Sequence, residues 1–304
     1  MFAAPPELEA EVFARVPDAL RRVGVPSWMS RSGRVATFLE GPAFDRDGNL
    51  FVVDMPFGRI FKVAPDGSFD VIIEYDGGPN GLAIHADGSL YVADRQHGIV
   101  RVDPASGSHE VVLSELPNAA LKGPNDLIFD REGNLYFTDQ GGTGLHDPTG
   151  RLVRLGNDGA VDVLLDNVPS PNGLVLDADE RVIYLAVTRA NAIWHVPLTR
   201  DRRGVGRVGL FIQLSGGPEG GPDGLALGER GTLAIAHARF GSLWLFSALG
   251  EPTHRVRIGA GPLVTNVAFG GDDNRELYMT ESSSGTILRV RANEAGLALY
   301  SHAR

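Results

Sequence analysis

Five short polar residues recur along the chain at a nearly constant interval. Asn80, Asn125, Asn172, Asp223 and Asn266 are separated by 45, 47, 51 and 43 residues, each after a Gly-Pro-like step. If the repeats carry them to a common axis, their side-chain oxygens form a ring facing one point, which is the chemistry of a hard-cation site. A sixth repeat places Ala43 at this step but carries an acid, Glu40, three residues earlier. The other repeats have Gly77, Lys122, Pro169, Gly220 and Leu263 there. Glu40, Asn125, Asn172 and Asp223 together supply two negative charges and two neutral carbonyl oxygens. That set suits one divalent cation, Ca²⁺ first, with Mn²⁺, Zn²⁺ or Mg²⁺ as alternatives. Asn-Gly and Asp-Gly pairs also favour turns, but a unique Glu and an Asn-to-Asp exchange within one ring argue for metal.

The elements that must position this ring are short strands. Six similar segments begin at residues 40, 77, 122, 169, 220 and 262, each with an apolar strand, a turn and a Leu/Tyr/Val-rich strand. The turns at Asp47-Gly48, Asp87-Gly88 and Glu132-Gly133 are hairpin signals, because Gly accepts the positive φ they need. The interval matches a propeller blade. The expected fold is all-β, a six-bladed β-propeller with four-stranded antiparallel blades over residues 34–304. Residues 1–33 are expected to form a helical extension, with Leu8, Val12, Phe13, Val16 and Leu20 on one stripe broken by Pro17. Residues 34–39 are expected to close the ring beside residues 286–291, with residues 297–300 competing for that role.

Composition excludes several classes of function. Gly and Pro make up 58 of 304 residues, a turn-rich chain unlike a helical bundle. The balance of 28 basic and 38 acidic residues, net -10, with no basic cluster, excludes a nucleic-acid partner. The absence of cysteine removes disulfides, thiolate nucleophiles and thiolate metal sites. Neither a signal peptide nor a membrane helix is read at the N-terminus, so a cytoplasmic protein without membrane contact is expected, as a monomer or small homo-oligomer.

No G-x-S-x-G elbow or persuasive triad is present, so water is the expected nucleophile. His146 and His237 are the histidine candidates for proton transfer and substrate binding. Asp54, Asp94 and Asp139 end the second strands and are expected to cap the turn between the second and third strands through side-chain to backbone bonds, with Asp139 also a candidate to face the pocket. The Gly-rich segment 140–148 is expected to face the substrate.

Residues 40–45, 124–127, 170–174 and 221–225 (EGPAFD, PNDL, SPNGL and GPDGL) resemble the SMP-30/gluconolactonase (LRE-like) family of six-bladed propellers. The resemblance runs over roughly residues 34–291. It implies one divalent cation at the top of the central channel, bound directly by Glu40, Asn172 and Asp223, with Asn125 contacting metal or substrate. It also implies hydrolysis of a small-molecule lactone, with Asp223 as metal ligand and general base. Animal members carry an Arg two residues before the Asn of blade 3, whereas this chain has Gly123. The alternatives are a phosphotriesterase resembling diisopropyl-fluorophosphatase, and a non-enzymatic binding propeller.

Overall fold

The structure is a computed structural model and describes residues 4–22, 24, 36–216 and 219–302. Six antiparallel sheets stand around a central channel. Their inner strands are Leu39–Phe44, Pro79–Ile84, Pro124–Phe129, Pro171–Leu176, Gly221–Leu227 and Val264–Gly270, and each touches the next, the last returning to the first. The all-β six-bladed propeller with four-stranded antiparallel blades is therefore the fold.

The second strands read as near-continuous apolar runs, Leu50–Asp54, Leu90–Asp94 and Leu135–Asp139, because neighbouring blades cover both of their faces. Val53 and Ile60 of blade 1 share one core with Leu82 and Val92 of blade 2. The outer strands face water, and Val71, Val111 and Val163 are exposed there. The hairpin glycines Gly48, Gly88 and Gly133 take φ of +79°, +89° and +81°.

Ring closure differs from the expectation. The outer strand of blade 6 is Glu11–Arg15, antiparallel to Thr286–Arg291, and Glu7–Glu9 adds a fifth, parallel strand to blade 5 beside Pro252–Arg257. The helical reading of this region is corrected: among its described residues only Asp18–Leu20 makes a helical turn, and that turn is 3-10. The burial explains the error: Ala14 and Val16 are buried with Arg15 exposed between them, a period of two, and the ladder shifts register between Val12 and Ala14, so Val12, 50% exposed, lies off the supposed stripe. Closure does come from the N-terminal side. However, Leu39 opens blade 1, and residues 34 and 35 lie outside the described set. The C-terminal competitor instead lies across the far end of the channel, where Leu297 N–H donates to Leu227 and Tyr300–His302 makes a 3-10 turn.

Candidate metal centre and substrate cavity

Backbone register decides which residues share one level of the channel. In blade 1 Leu39 pairs with Asp54, as Pro79 pairs with Asp94 in blade 2 and Pro124 with Asp139 in blade 3. Glu40 therefore stands at the step of Asn80 and Asn125. Ala43, opposite Phe51, stands at the step of Ala83, opposite Tyr91. The placing of Ala43 in the ring is thus corrected, and all six blades put a polar residue there: Glu40, Asn80, Asn125, Asn172, Asp223 and Asn266, each at most 9% exposed. The chain carries the signal, since each lies seven residues before its turn position, Asp47, Asp87, Glu132, Asp179, Arg230 or Asp273. All but Asn266 line a cavity of about 820 Å³ at one end of the channel.

The next residue is glycine in blades 1, 2, 4 and 5, and crowding at the axis explains two of them. A Cβ on Gly224 would lie 1.9 Å from Asn266 Oδ1, and one on Gly81 would lie 2.5 Å from Asp126 Oδ1. Blade 3 has Asp126 at this step, and its side chain enters the space that Gly81 leaves. Sequence reasoning missed Asp126. Its only signal is that it breaks the Asn-Gly pair of blades 2 and 4.

Glu40, Asp126 and Asp223 all hold their protons more tightly than ordinary carboxyls, chiefly because they are buried. Repulsion from Asp223 and Asp126 adds to the effect at Glu40, and repulsion from Asp126 adds to it at Asp223. Burial pushes Asp126 up to about 7, against hydrogen bonds from Leu127 N–H at 2.9 Å and Asn266 Nδ2 at 3.4 Å. The Asn172 carboxamide hydrogen-bonds to Asp223 and that of Asn266 to Glu40, while Arg189 favours the charged form of Asp223. Of the other buried carboxylates, Asp54 pairs with Arg59 and Asp139 with Arg151, while Asp94 and Glu281 are satisfied by backbone N–H and hydroxyl donors. Among the described residues, Glu40, Asp126 and Asp223 have no ion-pair partner.

Uncompensated buried carboxylates beside carboxamide oxygens fit a hard divalent cation chemically. Among the described residues no three His, Asp or Glu groups could hold an ion by themselves, so carboxamide oxygens are needed to complete a shell. Asn125 is prepared for this. Its Nδ2 donates to Gln140 Oε1 at 3.0 Å, and Gln140 Nε2 donates to Ser170 Oγ at 3.1 Å, so Oδ1 of Asn125 is left as the open acceptor. Gln140 is a second residue that sequence reasoning did not single out.

The segment from Gln140 to His146 lines the cavity, and His146 is exposed at its mouth. His237 is fully buried outside the lining. Its ring stacks on Phe240 at 4.7 Å, Nδ1 accepts from Trp244 Nε1 at 3.2 Å, and burial pushes its pKa down to about 4. Of the second-strand aspartates only Asp94 caps the turn to the third strand, accepting from Gln96 and His97 N–H as well as from Gly78 N–H. Asp54 and Asp139 instead hold the segment that leads into the inner strand, accepting from Phe38 N–H and from Lys122 and Gly123 N–H, so the turn-capping expectation is corrected for these two. Asp139 is buried against that backbone, outside the cavity lining.

With this geometry in hand, the likeness to known proteins is informative. The SMP-30/Gluconolactonase/LRE-like region family model matches residues 38–283. Gluconolactonase of Zymomonas mobilis subsp. mobilis is 29% identical over 289 residues, which span 84% of this chain and 79% of the relative. Lactonase drp35 of Staphylococcus aureus strain USA300 is 27% identical over 247 residues, 79% of this chain and 75% of the relative. Regucalcin of Agrobacterium tumefaciens strain C58, described as a calcium-binding protein, has a TM-score of 0.76 at 21% identity, covering 98% of this chain and 100% of that one. At that identity the likeness bears on the fold.

Proposed function

We propose, from the premise that the chain belongs to the SMP-30/gluconolactonase/LRE-like family, that it is a divalent-cation-dependent lactonase opening a small lactone by attack of water. The observation that carries this reading is the ring itself. Glu40 and Asp223 are the two acids among six equivalent positions, and both line a cavity of about 820 Å³, large enough for a sugar-sized ligand. Relatives named gluconolactonase and lactonase support the reaction class.

Glu40, Asn125, Asn172 and Asp223 would hold the cation, Ca²⁺ in first place, and when bound it supplies Lewis-acid polarisation of the lactone carbonyl. Asp223 serves as general base. The water oxygen bonds to the carbonyl carbon while Asp223 takes the water proton. The ring carbon–oxygen bond then breaks, and the leaving alkoxide recovers that proton to give the hydroxy acid. Asn125 Oδ1, fixed through Gln140, faces the cation or accepts from a substrate hydroxyl, and His146 contacts the substrate at the mouth.

The test is hydrolysis of aldonolactones, simple γ- and δ-lactones and a phosphotriester by metal-free protein, with and without added Ca²⁺, Mn²⁺, Zn²⁺ or Mg²⁺. Cation-restored lactone turnover is expected. Turnover of the phosphotriester alone would move the activity to phosphoryl chemistry, and no turnover with any cation would favour a binding propeller.

A further inference from the structure

The ring is not the only repeated level with one exceptional residue. One residue beyond the step of Asp54, Asp94 and Asp139, at the end of the second strand, the six blades carry Met55, Arg95, Gln140, Thr188, Ala238 and Ser282, as the shared register shows. The first five of these line the cavity, and Arg95 is the only charged member of the set. It belongs to blade 2, and Asp223 belongs to blade 5. In a ring of six these blades stand opposite one another, so the two residues approach the cavity contents from opposite sides.

The backbone of Arg95 is held firmly. Its N–H donates to Gly78 O at 2.9 Å, and the preceding Asp94 accepts from Gln96 and His97 N–H at 2.8 and 2.9 Å. Asp94 makes no ion pair with Arg95, and its other oxygen, Oδ2, accepts from Gly78 N–H and Tyr75 Oη–H. Among the described residues the Arg95 guanidinium has no hydrogen-bond or ion-pair partner, although burial disfavours its charge. The other cavity arginines are engaged. Arg189 donates to Glu219 O at 2.8 Å, and Arg239 pairs with the Glu219 carboxylate at 3.1 Å. A partly buried guanidinium with five unused donors, fixed at its base and open at its tip, is a fork for an oxyanion.

We propose that Arg95 anchors an anionic substituent, a carboxylate or a phosphate, carried by the lactone on the side opposite its reacting ester, so that the preferred substrates are acidic sugar lactones. This inference rests on the lactonase reading for the reaction, but the anion site itself can be tested apart from it.

The experiment compares D-glucono-δ-lactone with a glucarolactone, which bears a carboxylate, and with 6-phosphoglucono-δ-lactone, using cation-loaded wild type, Arg95→Gln and Arg95→Lys. Wild type is expected to favour at least one acidic lactone over the neutral one by about 10-fold or more in kcat/KM. Arg95→Gln is expected to collapse that ratio by about 10- to 100-fold, mainly through KM, the scale of a charge-assisted hydrogen-bonded pair. Arg95→Lys should restore part of it, because the charge remains while the fork is lost. The acidic lactone whose advantage depends on Arg95 identifies the anion. Absence of any preference in wild type, or a fall in Arg95→Gln that leaves the ratio unchanged, overturns the proposal. If no lactone is turned over, the lactonase reading fails and calorimetry decides the anion site. Tighter binding of D-glucarate than D-gluconate by about 10-fold, lost in Arg95→Gln, upholds it, and equal binding overturns it.

Discussion

Replacing Asp126 by Asn should stabilise the metal-free protein, increasingly so as pH rises. Burial lifts this carboxyl to about 7 from an ordinary 3.8, so the native chain holds a proton that the unfolded chain has already released. Stability contributed by the protonated form is complete below the ordinary value and is lost as pH rises toward 7. The shift costs about 4 kcal/mol of stability at pH 8, where Asp126 is ionised in the fold, and about 2 kcal/mol at pH 5, where it keeps a proton that the unfolded chain releases. Asn keeps the oxygen that accepts from Leu127 N–H but turns a donor toward Asn266 Nδ2, which now lies 3.4 Å from a carboxylate oxygen and returns about 1 kcal/mol. The net gain is therefore about 3 kcal/mol at pH 8 and about 1 kcal/mol or less at pH 5. Relief of repulsion at Glu40 and Asp223 acts in the same direction. Urea denaturation of metal-free wild type and Asp126→Asn between pH 5 and 8 measures the difference directly. A gap that stays flat with pH, or a less stable variant at pH 8, would refute the view that three uncompensated carboxylates share the channel.

Further expectations concern the ring, the closure and the buried histidine. Glu40→Gln should mainly weaken cation binding, read by calorimetry, whereas Asp223→Asn should reduce lactone turnover more than it reduces cation affinity. A fully active Asp223→Asn protein would remove its role as base. Deleting residues 1–15 should leave Thr286–Arg291 as an open edge and uncover the core that Phe13 and Ala14 help seal, at several kcal/mol, giving insoluble or much less stable protein. An unchanged melting temperature would contradict the closure. Because His237 is neutral in the fold down to about pH 4, wild type should lose about 3 kcal/mol as pH falls from 6.5 to 4. His237→Asn keeps an acceptor for Trp244 and should flatten that part of the acid unfolding curve, and equal slopes would show that other groups set it.

What could be read from the chain follows from how often each feature is written in it. The propeller was legible because the strand, turn and strand grammar is repeated six times, so weak local signals reinforce one another. The ring residues were legible for the same reason, apart from blade 1. There the Gly-Pro step misleads, because Gly41-Pro42 lies after the ring position instead of before it. Anchoring on the hairpin turn places Glu40 correctly, because turn chemistry is local while the bulged inner strand varies. The N-terminal strands were not legible. Glu11–Arg15 finds its partner at Thr286–Arg291, and nothing within the segment reports on a neighbour so distant in sequence.

Asp126 and Arg95 were missed for the opposite reason to the one that made the ring visible. Each occupies a level of the propeller that the other five blades fill with uncharged residues, so neither belongs to a pattern that periodicity could reveal. A repeated fold supplies rigid, equivalent positions, and equivalence by itself makes no distinction between one direction across the cavity and another. Opening one bond of an asymmetric molecule requires such a distinction. Glu40 and Asp223 break the symmetry of the first level with negative charge, Asp126 breaks that of the level below it, and Arg95 breaks that of the level bearing Met55 and Gln140 with positive charge. Arg95 of blade 2 and Asp223 of blade 5 thus put opposite charges on opposite sides of the cavity, which would orient a bound acidic lactone before any step of its hydrolysis begins.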